Sequence, residues 1–97
     1  MLASIRVRKA ILSVAAINEE GFFNNNLLLV ETERAMMRAA NEVIIVADST
    51  KFGHQSLAHV CALGEVDYLV VDDQLDPQWR ERVTAAGVNL RIAQASV

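Results

Sequence analysis

The amino-acid sequence predicts an α/β fold in which a mainly parallel sheet carries flanking helices. Short apolar runs alternate with segments of helical periodicity, which is the order that right-handed parallel crossovers produce. The run at residues 43–47 is continuously apolar, as in a parallel strand that helices cover on both faces. Asp76-Pro77 gives a strong helix start between two further apolar runs. No repeat, low-complexity segment or linker divides residues 1–97, which are therefore interpreted as a single small unit.

The first half of the chain predicts a strand, a polar loop and a helix. Residues 9–16 form an apolar run and are predicted as the first strand. The loop at residues 17–26 contains Gly21 and three consecutive asparagines, which favour turns. A helix to Ala40 follows, because apolar residues recur there at three- and four-residue spacing. This spacing predicts a sheet-facing side with Leu29, Met36 and Met37, and an exposed row with Arg34 and Arg38.

The second half continues the alternation. The predicted elements are, in order, a strand at 42–47, a short helix at 55–60, a strand at 67–71, a helix at 78–86 and a strand at 88–92. Asp76 is predicted as the N-cap of the last helix and Pro77 as its first residue, and Gly87 is predicted to end it.

Composition excludes several classes of protein. Nine Lys and Arg against twelve Asp and Glu give a net charge of −3, which argues against binding to nucleic-acid phosphates by this chain alone. Arg6, Arg8 and Lys9 form the single basic cluster and are interpreted as a solvated strand entry. The lone Cys61 excludes an intrachain disulfide and suits a reducing compartment. With no signal peptide or membrane-spanning run in the sequence, a cytoplasmic protein without membrane contact is expected.

Polar residues follow the ends of three predicted strands. Because the carboxyl ends of parallel strands share one edge of a sheet, these residues are expected to meet there and to bind a small molecule. The predicted ligand-binding set is Asn18, Glu19, Asp48, Ser49, Thr50, Lys51 and Asp72. An alternative remains open, in which Asp48, Ser49 or Thr50 only caps a short helix near His54 and Lys51 is a solvated surface charge.

Other candidate sites are weaker. Asp72 and Asp73 could act as an acid/base pair or hold a cation, but neighbours on a strand point to opposite faces. The spacings of His54, His59 and Cys61 match no common zinc pattern. No catalytic residue, metal site or cofactor is therefore predicted. Trp79 is interpreted as a packing residue of the last helix.

Several strings resemble the carboxyl-terminal half of DeoR-type transcriptional regulators. They lie at residues 17–22, 31–37, 40–53, 60–63 and 66–72, and the resemblance runs from about Arg6 to the end. It implies part of a sensor domain for a phosphorylated sugar or related metabolite, built like ribose 5-phosphate isomerase and coenzyme A transferase folds. Family members carry a winged helix-turn-helix ahead of this domain, so DNA contact is expected only through an amino-terminal domain that is absent from these residues. Many members carry lysine where Glu33 stands here.

The favoured function is therefore effector sensing and oligomerisation in a regulator of carbohydrate metabolism genes, most simply a repressor and not an enzyme. The alternative is a fragment of a sugar-phosphate isomerase-like enzyme, with Asp48 as general base and Lys51 stabilising an enediolate. A third alternative is an oligomeric remnant that binds no ligand. A homo-oligomer, most simply a dimer, is expected because half of a domain would leave an edge or a face of the sheet uncovered.

Overall fold

The computed structural model describes residues 7–93, which form seven strands and two α-helices. In chain order these elements are β1 (Val7–Ser13), β2 (Ala16–Asn18), β3 (Gly21–Asn24), α1 (Leu27–Ala39), β4 (Ala40–Ala47), β5 (Ala58–Cys61), β6 (Tyr68–Asp72), α2 (Pro77–Ala85) and β7 (Asn89–Ala93). Single 3₁₀ turns lie at Ser49–Lys51 and Leu63–Glu65. The first, second, third and last predicted strands correspond to β1, β4, β6 and β7.

The larger sheet confirms the predicted fold class. Its strand order is β1-β4-β6-β7, and all three strand pairs are parallel. In register across the sheet, Leu12 lies beside Ile45 and Ile45 beside Leu69. These three side chains are buried and form the centre of the core. Because every connection moves in the same direction across the sheet, right-handed crossovers place all of the connecting segments on one face.

The connecting segments contain a second, antiparallel sheet that the sequence did not predict. Its order is β2-β3-β5, where β2 and β3 form a hairpin that takes Ala16 from the end of the first predicted strand and otherwise lies within the predicted loop at 17–26. The predicted short helix at 55–60 is wrong, since residues 58–61 form strand β5. Their backbone groups pair with β3, and the Arg34 side chain donates to the carbonyl oxygens of Val60 and His59, both at 2.9 Å. Tertiary hydrogen bonds therefore decide the conformation of this segment.

The hairpin brings β3 very close to β5. Gly21 has φ +128°, a conformation that L side chains rarely adopt. A Cβ atom at this position would overlap the carbonyl oxygen of Cys61 and lie 2.8 Å from the Ala62 Cα atom. Phe22, the next residue, is fully buried in the core. Glycine is thus required where the two strands meet.

Helix α1 is rotated relative to its prediction. Leu29 and Met36 are 44% and 38% exposed, so the prediction that they face the sheet is wrong. The buried positions are instead Val30 and Glu33, and Met37 packs against the core as predicted. The difference arises because Asn26 caps the helix, accepting the Leu29 backbone N–H at 3.0 Å, and because Glu33 is accommodated inside by a hydrogen bond.

Helix α2 begins as predicted. The Asp76 carboxylate accepts the backbone N–H of Gln78 at 2.8 Å, and Pro77 is the first helical residue. Val83 is fully buried, and Trp79 packs against the core, as predicted. Gly87, with φ +90°, lies just beyond the helix end.

One face of the larger sheet is open among the described residues. Side chains alternate along each strand, so residues in register with one another point to the same face. Ile11 lies beside Ile44, and Val46 lies beside Val70. Ile11 is 65% exposed and Val46 is 45% exposed, while Ile44 and Val70 are partly exposed. We call these four side chains the outer face. The prediction of helices on both faces of β4 is therefore wrong for residues 7–93.

Candidate functional site

The turn after β4 is held together by hydrogen bonds to Asp48, the residue that caps it. The Asp48 carboxylate accepts the Thr50 backbone N–H at 3.0 Å and also accepts the Thr50 hydroxyl. The backbone N–H of Lys51 donates to the Asp48 carbonyl oxygen at 3.1 Å, which closes the 3₁₀ turn. Asp48 is therefore a capping residue, as the alternative interpretation held. The capped element is the turn at Ser49–Lys51, and no helix starts near His54.

Asp72 fixes this turn to the neighbouring strand. One carboxylate oxygen accepts the Ser49 backbone N–H and the other accepts the Gln74 backbone N–H, both at 2.9 Å. These two bonds hold the pKa of Asp72 below its ordinary value. The carboxyl end of β6 thus supports the turn that carries Lys51.

The hairpin of the smaller sheet lies on the other side of the same turn. The Gly53 backbone N–H donates to the Ile17 carbonyl oxygen at 2.8 Å, and Ile17 forms a parallel bridge with Phe52. At the hairpin tip, the Asn18 side chain accepts the Glu20 backbone N–H at 2.8 Å. Asn18 and Glu19 were expected at the carboxyl end of the first parallel strand, but β1 ends at Ser13 and both residues lie on the hairpin of the antiparallel sheet. The Ile17–Phe52 bridge and the bond from Ser49 to Asp72 place the ends of β2 and β6 in the same region as the turn after β4. We call this region, consisting of Asn18, Glu19, Asp48–Lys51 and Asp72, the rim site.

The charges at the rim site are unequally engaged. Asp48 and Asp72 both accept backbone hydrogen bonds, and Glu19 forms an ion pair with Arg82 at 3.0 Å. The Lys51 side chain is partly buried and has no hydrogen-bond or ion-pair partner within residues 7–93. An ammonium group on a turn that is fixed from both sides can bind an anion or several hydroxyl groups.

Two aromatic residues and an arginine, which were not predicted as site residues, complete this region. The Trp79 ring lies 5.5 Å from the Phe52 ring, and the Arg82 guanidinium carbon lies 4.9 Å from the Trp79 ring centre. The sequence signal for Arg82 was its spacing from Trp79, since residues three apart on a helix lie on the same side. Nothing in the sequence indicated that this side faces residues 17–20.

A cavity lies between α1 and β5, outside the rim site. It has a volume of about 350 Å³ and is lined in part by Arg34, Arg38, His59 and Cys61. Burial, with a smaller contribution from the negative charge of Glu65, raises the pKa of the Cys61 thiol to about 12. The thiol therefore stays protonated at neutral pH and is a poor nucleophile and metal ligand.

The described part of the chain offers neither a metal-binding cluster nor a membrane-spanning helix. No group of three or more His, Cys, Asp and Glu side chains within residues 7–93 could hold a metal ion. Neither α1 nor α2 is long and apolar enough to cross a membrane.

Known proteins share extensive similarity with this chain. The model of the family described as the DeoR C terminal sensor domain matches residues 1–73. The chain is 32% identical over 72 residues to the HTH-type transcriptional regulator GlpR of Haloferax volcanii, covering 74% of this chain and 28% of that protein. It is 29% identical over 93 residues to the HTH-type transcriptional repressor GlcR of Bacillus subtilis, covering 96% of this chain and 36% of that protein.

A third relative has a name that states its regulon. The chain is 27% identical over 73 residues to the glycerol-3-phosphate regulon repressor of Haemophilus influenzae, covering 74% of this chain and 29% of that protein. The aligned parts thus amount to about a third of the length of these relatives. All three are transcriptional regulators by name.

Proposed function

We propose, because this chain belongs to the family of DeoR C-terminal sensor domains, that it senses a phosphorylated sugar or related metabolite within a transcriptional repressor of carbohydrate metabolism genes. The observation that carries the proposal is the side chain of Lys51. Its charge is unpaired within residues 7–93, and its turn is fixed by Asp72 and the Ile17 carbonyl. A fixed cation at the carboxyl ends of parallel strands suits a phosphate group.

The other residues of the rim site are assigned complementary roles. Lys51 binds the phosphate, together with polar groups of Ser49 and Thr50. Asn18 and Glu19, at the hairpin tip, bind sugar hydroxyls, which donate to carboxylate and amide oxygens. Asp72 contributes by holding the turn in place.

The alternative of a sugar-phosphate isomerase-like enzyme is less well supported. A general base must be able to accept a proton from the substrate. The Asp48 carboxylate already accepts two hydrogen bonds from Thr50 and serves as a cap. The three relatives described above are also regulators by name. We therefore favour a binding site over a catalytic one.

Ligand-induced stabilisation tests this function. The melting temperature of the chain is measured with and without inorganic phosphate, glycerol 3-phosphate and hexose monophosphates. At least one sugar phosphate is expected to raise it, and Lys51→Ala should remove this increase while leaving the melting temperature of the ligand-free chain nearly unchanged. Lys9→Ala, which removes an exposed lysine from β1, is the matched control and should keep the increase. Equal ligand effects in the parent and Lys51→Ala would contradict the proposal.

Self-association is the second part of the proposed function. Parallel sheets are stable when both faces are covered, and the outer face exposes Ile11 and Val46. We propose that a second copy covers it, since an apolar face of this kind can pack against itself about a two-fold axis. Residues 1–97 then form part of one sensor domain of a cytoplasmic regulator, and effector binding alters its assembly or conformation.

DNA recognition is assigned to another part of the full-length regulator. The chain has a net charge of −3, whereas DNA binding requires a basic surface. A mobility-shift titration of the 97-residue chain against the regulator's operator, at physiological salt, should show no specific complex. Sequence-dependent retardation at submicromolar protein would contradict this assignment.

A further inference from the structure

Helix α2 reaches the rim site through Arg82. The Arg82 guanidinium lies on the Trp79 ring, which itself packs on Phe52, the residue after Lys51. The family model ends at residue 73, so α2 lies outside the matched region. Arg82 is therefore a second cation beside the predicted ligand loops, on an element outside the residues that the family model matches.

The contacts of Arg82 leave it able to bind an anion. Stacking on Trp79 orients the guanidinium plane without using its N–H donors. One of those donors, on Nη1, bonds to the Glu19 carboxylate, and no other hydrogen bond of this side chain is present within residues 7–93. A planar, oriented guanidinium with free donors can hold a phosphate by two parallel hydrogen bonds.

The ion pair with Glu19 is easily exchanged. The two side chains are 48% and 67% exposed, and ion pairs exposed to this degree contribute little to stability. A phosphate that carries more negative charge than a carboxylate can therefore replace Glu19. The carboxylate is then released at the hairpin tip, where sugar hydroxyls can donate to it.

We propose that Arg82 is a second phosphate-binding residue of the rim site and that Glu19 is its partner in the ligand-free state. Ligand binding exchanges the Arg82–Glu19 ion pair for Arg82–phosphate and Glu19–hydroxyl contacts. Because Glu19 belongs to the hairpin and Arg82 to α2, this exchange changes the link between them. The inference rests on the proposed function and adds a specificity-determining residue and a conformational response to it.

Titration calorimetry with variants tests this inference. The probes are inorganic phosphate and whichever sugar phosphate stabilises the parent chain. Arg82→Gln should weaken binding about tenfold, as expected for the loss of a charged hydrogen bond. Glu19→Gln should strengthen binding of inorganic phosphate, about threefold, because the competing carboxylate is removed. Arg91→Gln is the control for Arg82→Gln. Arg91 belongs to β7, and its guanidinium also lies over an aromatic ring, that of Tyr68. This control should leave affinity unchanged.

The double variant Glu19→Gln/Arg82→Gln distinguishes direct competition of Glu19 for Arg82 from a general effect of removing a negative charge. If Glu19 competes directly for Arg82, Glu19→Gln should give no gain in affinity in the Arg82→Gln background. Glu20→Gln removes the same charge from the neighbouring residue and should give little gain in either background. A gain that persists in the double variant, or is equalled by Glu20→Gln, would overturn the exchange.

The outcomes also separate this inference from the proposed function. Binding that is lost in Lys51→Ala but unchanged in Arg82→Gln would overturn the role of Arg82 and leave the proposed function standing. A parent chain that binds none of the probes would contradict both. Circular dichroism of each variant establishes that it is folded, and Arg82→Lys, which keeps the charge but not the planar fork, should bind more weakly than the parent and more tightly than Arg82→Gln.

Discussion

At the scale of the residue, Glu33 is a buried carboxyl group in the interior of a small domain. It is 5% exposed, and its one hydrogen bond within residues 7–93 is accepted from the Asn24 side chain at 2.5 Å. Burial raises its pKa above the ordinary value of 4.5. The Glu33 carboxyl group therefore lies in the interior and not at the rim site.

Glu33 should make folding stability depend on pH. Because the pKa is raised in the folded chain, the folded state binds the proton more tightly and stability decreases as the pH rises from 4.5 through the folded-state pKa. Glu33→Gln keeps an oxygen to accept from Asn24 but cannot ionise. We expect Glu33→Gln to raise the free energy of unfolding by about 1 kcal/mol at pH 7. The stability of this variant should also decrease less than that of the parent as the pH rises. Urea unfolding at pH 4.5 and pH 7.5 measures both effects, and equal pH dependence in parent and variant would contradict them.

Asp72 should have the opposite pH dependence. Its pKa is lowered in the folded chain, so its contribution to stability is present above the ordinary value of 3.8 and is lost as the pH falls through the lower folded-state pKa. Asp72→Asn replaces one of the two accepting oxygens by an NH₂ group. Because an NH₂ group cannot accept a hydrogen bond, the backbone N–H of Ser49 or that of Gln74 loses its partner. We expect faster hydrogen exchange of the Ser49 amide and a smaller loss of stability on acidification. Asp73→Asn should change neither, since within residues 7–93 the Asp73 carboxylate accepts a hydrogen bond from the Gln74 side chain alone.

At the scale of the element, Gly21 determines whether the smaller sheet can close. Gly21→Ala combines an unfavourable φ with overlap between Cβ and the backbone of β5, so we expect a loss of at least about 3 kcal/mol. Gly53→Ala is the matched control, since Gly53 also has a positive φ of +81° but open space around it, and it should cost about 1 kcal/mol. Chemical denaturation compares them. If Gly21→Ala is too unstable to purify while Gly53→Ala folds, the prediction is supported, and equal losses would refute it.

The elements that sequence predicted well are those with local signals. Asp76-Pro77 fixes the start of α2, and the apolar run before Asp48 marks β4, because caps and buried strands are encoded by neighbouring residues. β5 could not be predicted in this way. Its four residues form a strand only because β3 and the Arg34 side chain supply hydrogen-bond partners more than twenty residues away in sequence. The rotation of α1 was missed because a buried glutamate contradicts the usual hydrophobic pattern.

The rim site shows the same division. The topology of a parallel sheet was sufficient to predict that the residues at the ends of β4 and β6 are neighbours, and the bond between Ser49 and Asp72 joins them. It could not place Asn18 and Glu19, which lie on the hairpin of the antiparallel sheet and not at the end of β1. Which of their charges are engaged was not predictable, because the bonds from Asp72 to Ser49 and from Glu19 to Arg82 span 23 and 63 residues. Their binding role stays a prediction.

At the scale of the whole molecule, the outer face should control the oligomeric state. We expect the 10.7 kDa chain to elute as a dimer of about 21 kDa in size exclusion with light scattering and to dissociate on dilution. Ile11→Lys places a charge on the outer face, at its most exposed residue, and should give a folded monomer. Leu28→Lys changes an equally exposed residue on α1 and should leave the dimer intact. A parent chain that stays monomeric at high concentration would contradict the proposed interface.

The central position of β4 has a consequence for the order of folding. β4 pairs with both β1 and β6, so β1 cannot join the β6–β7 pair in one sheet before β4 is in place. The connection from β1 to β4 contains the hairpin and α1, and closing such long connections makes parallel sheets slow to form. Residues that hold β4 in the core, such as Ile45, are therefore expected to act in the folding transition state, whereas contacts of the edge strand β7 form later and govern the rate of unfolding.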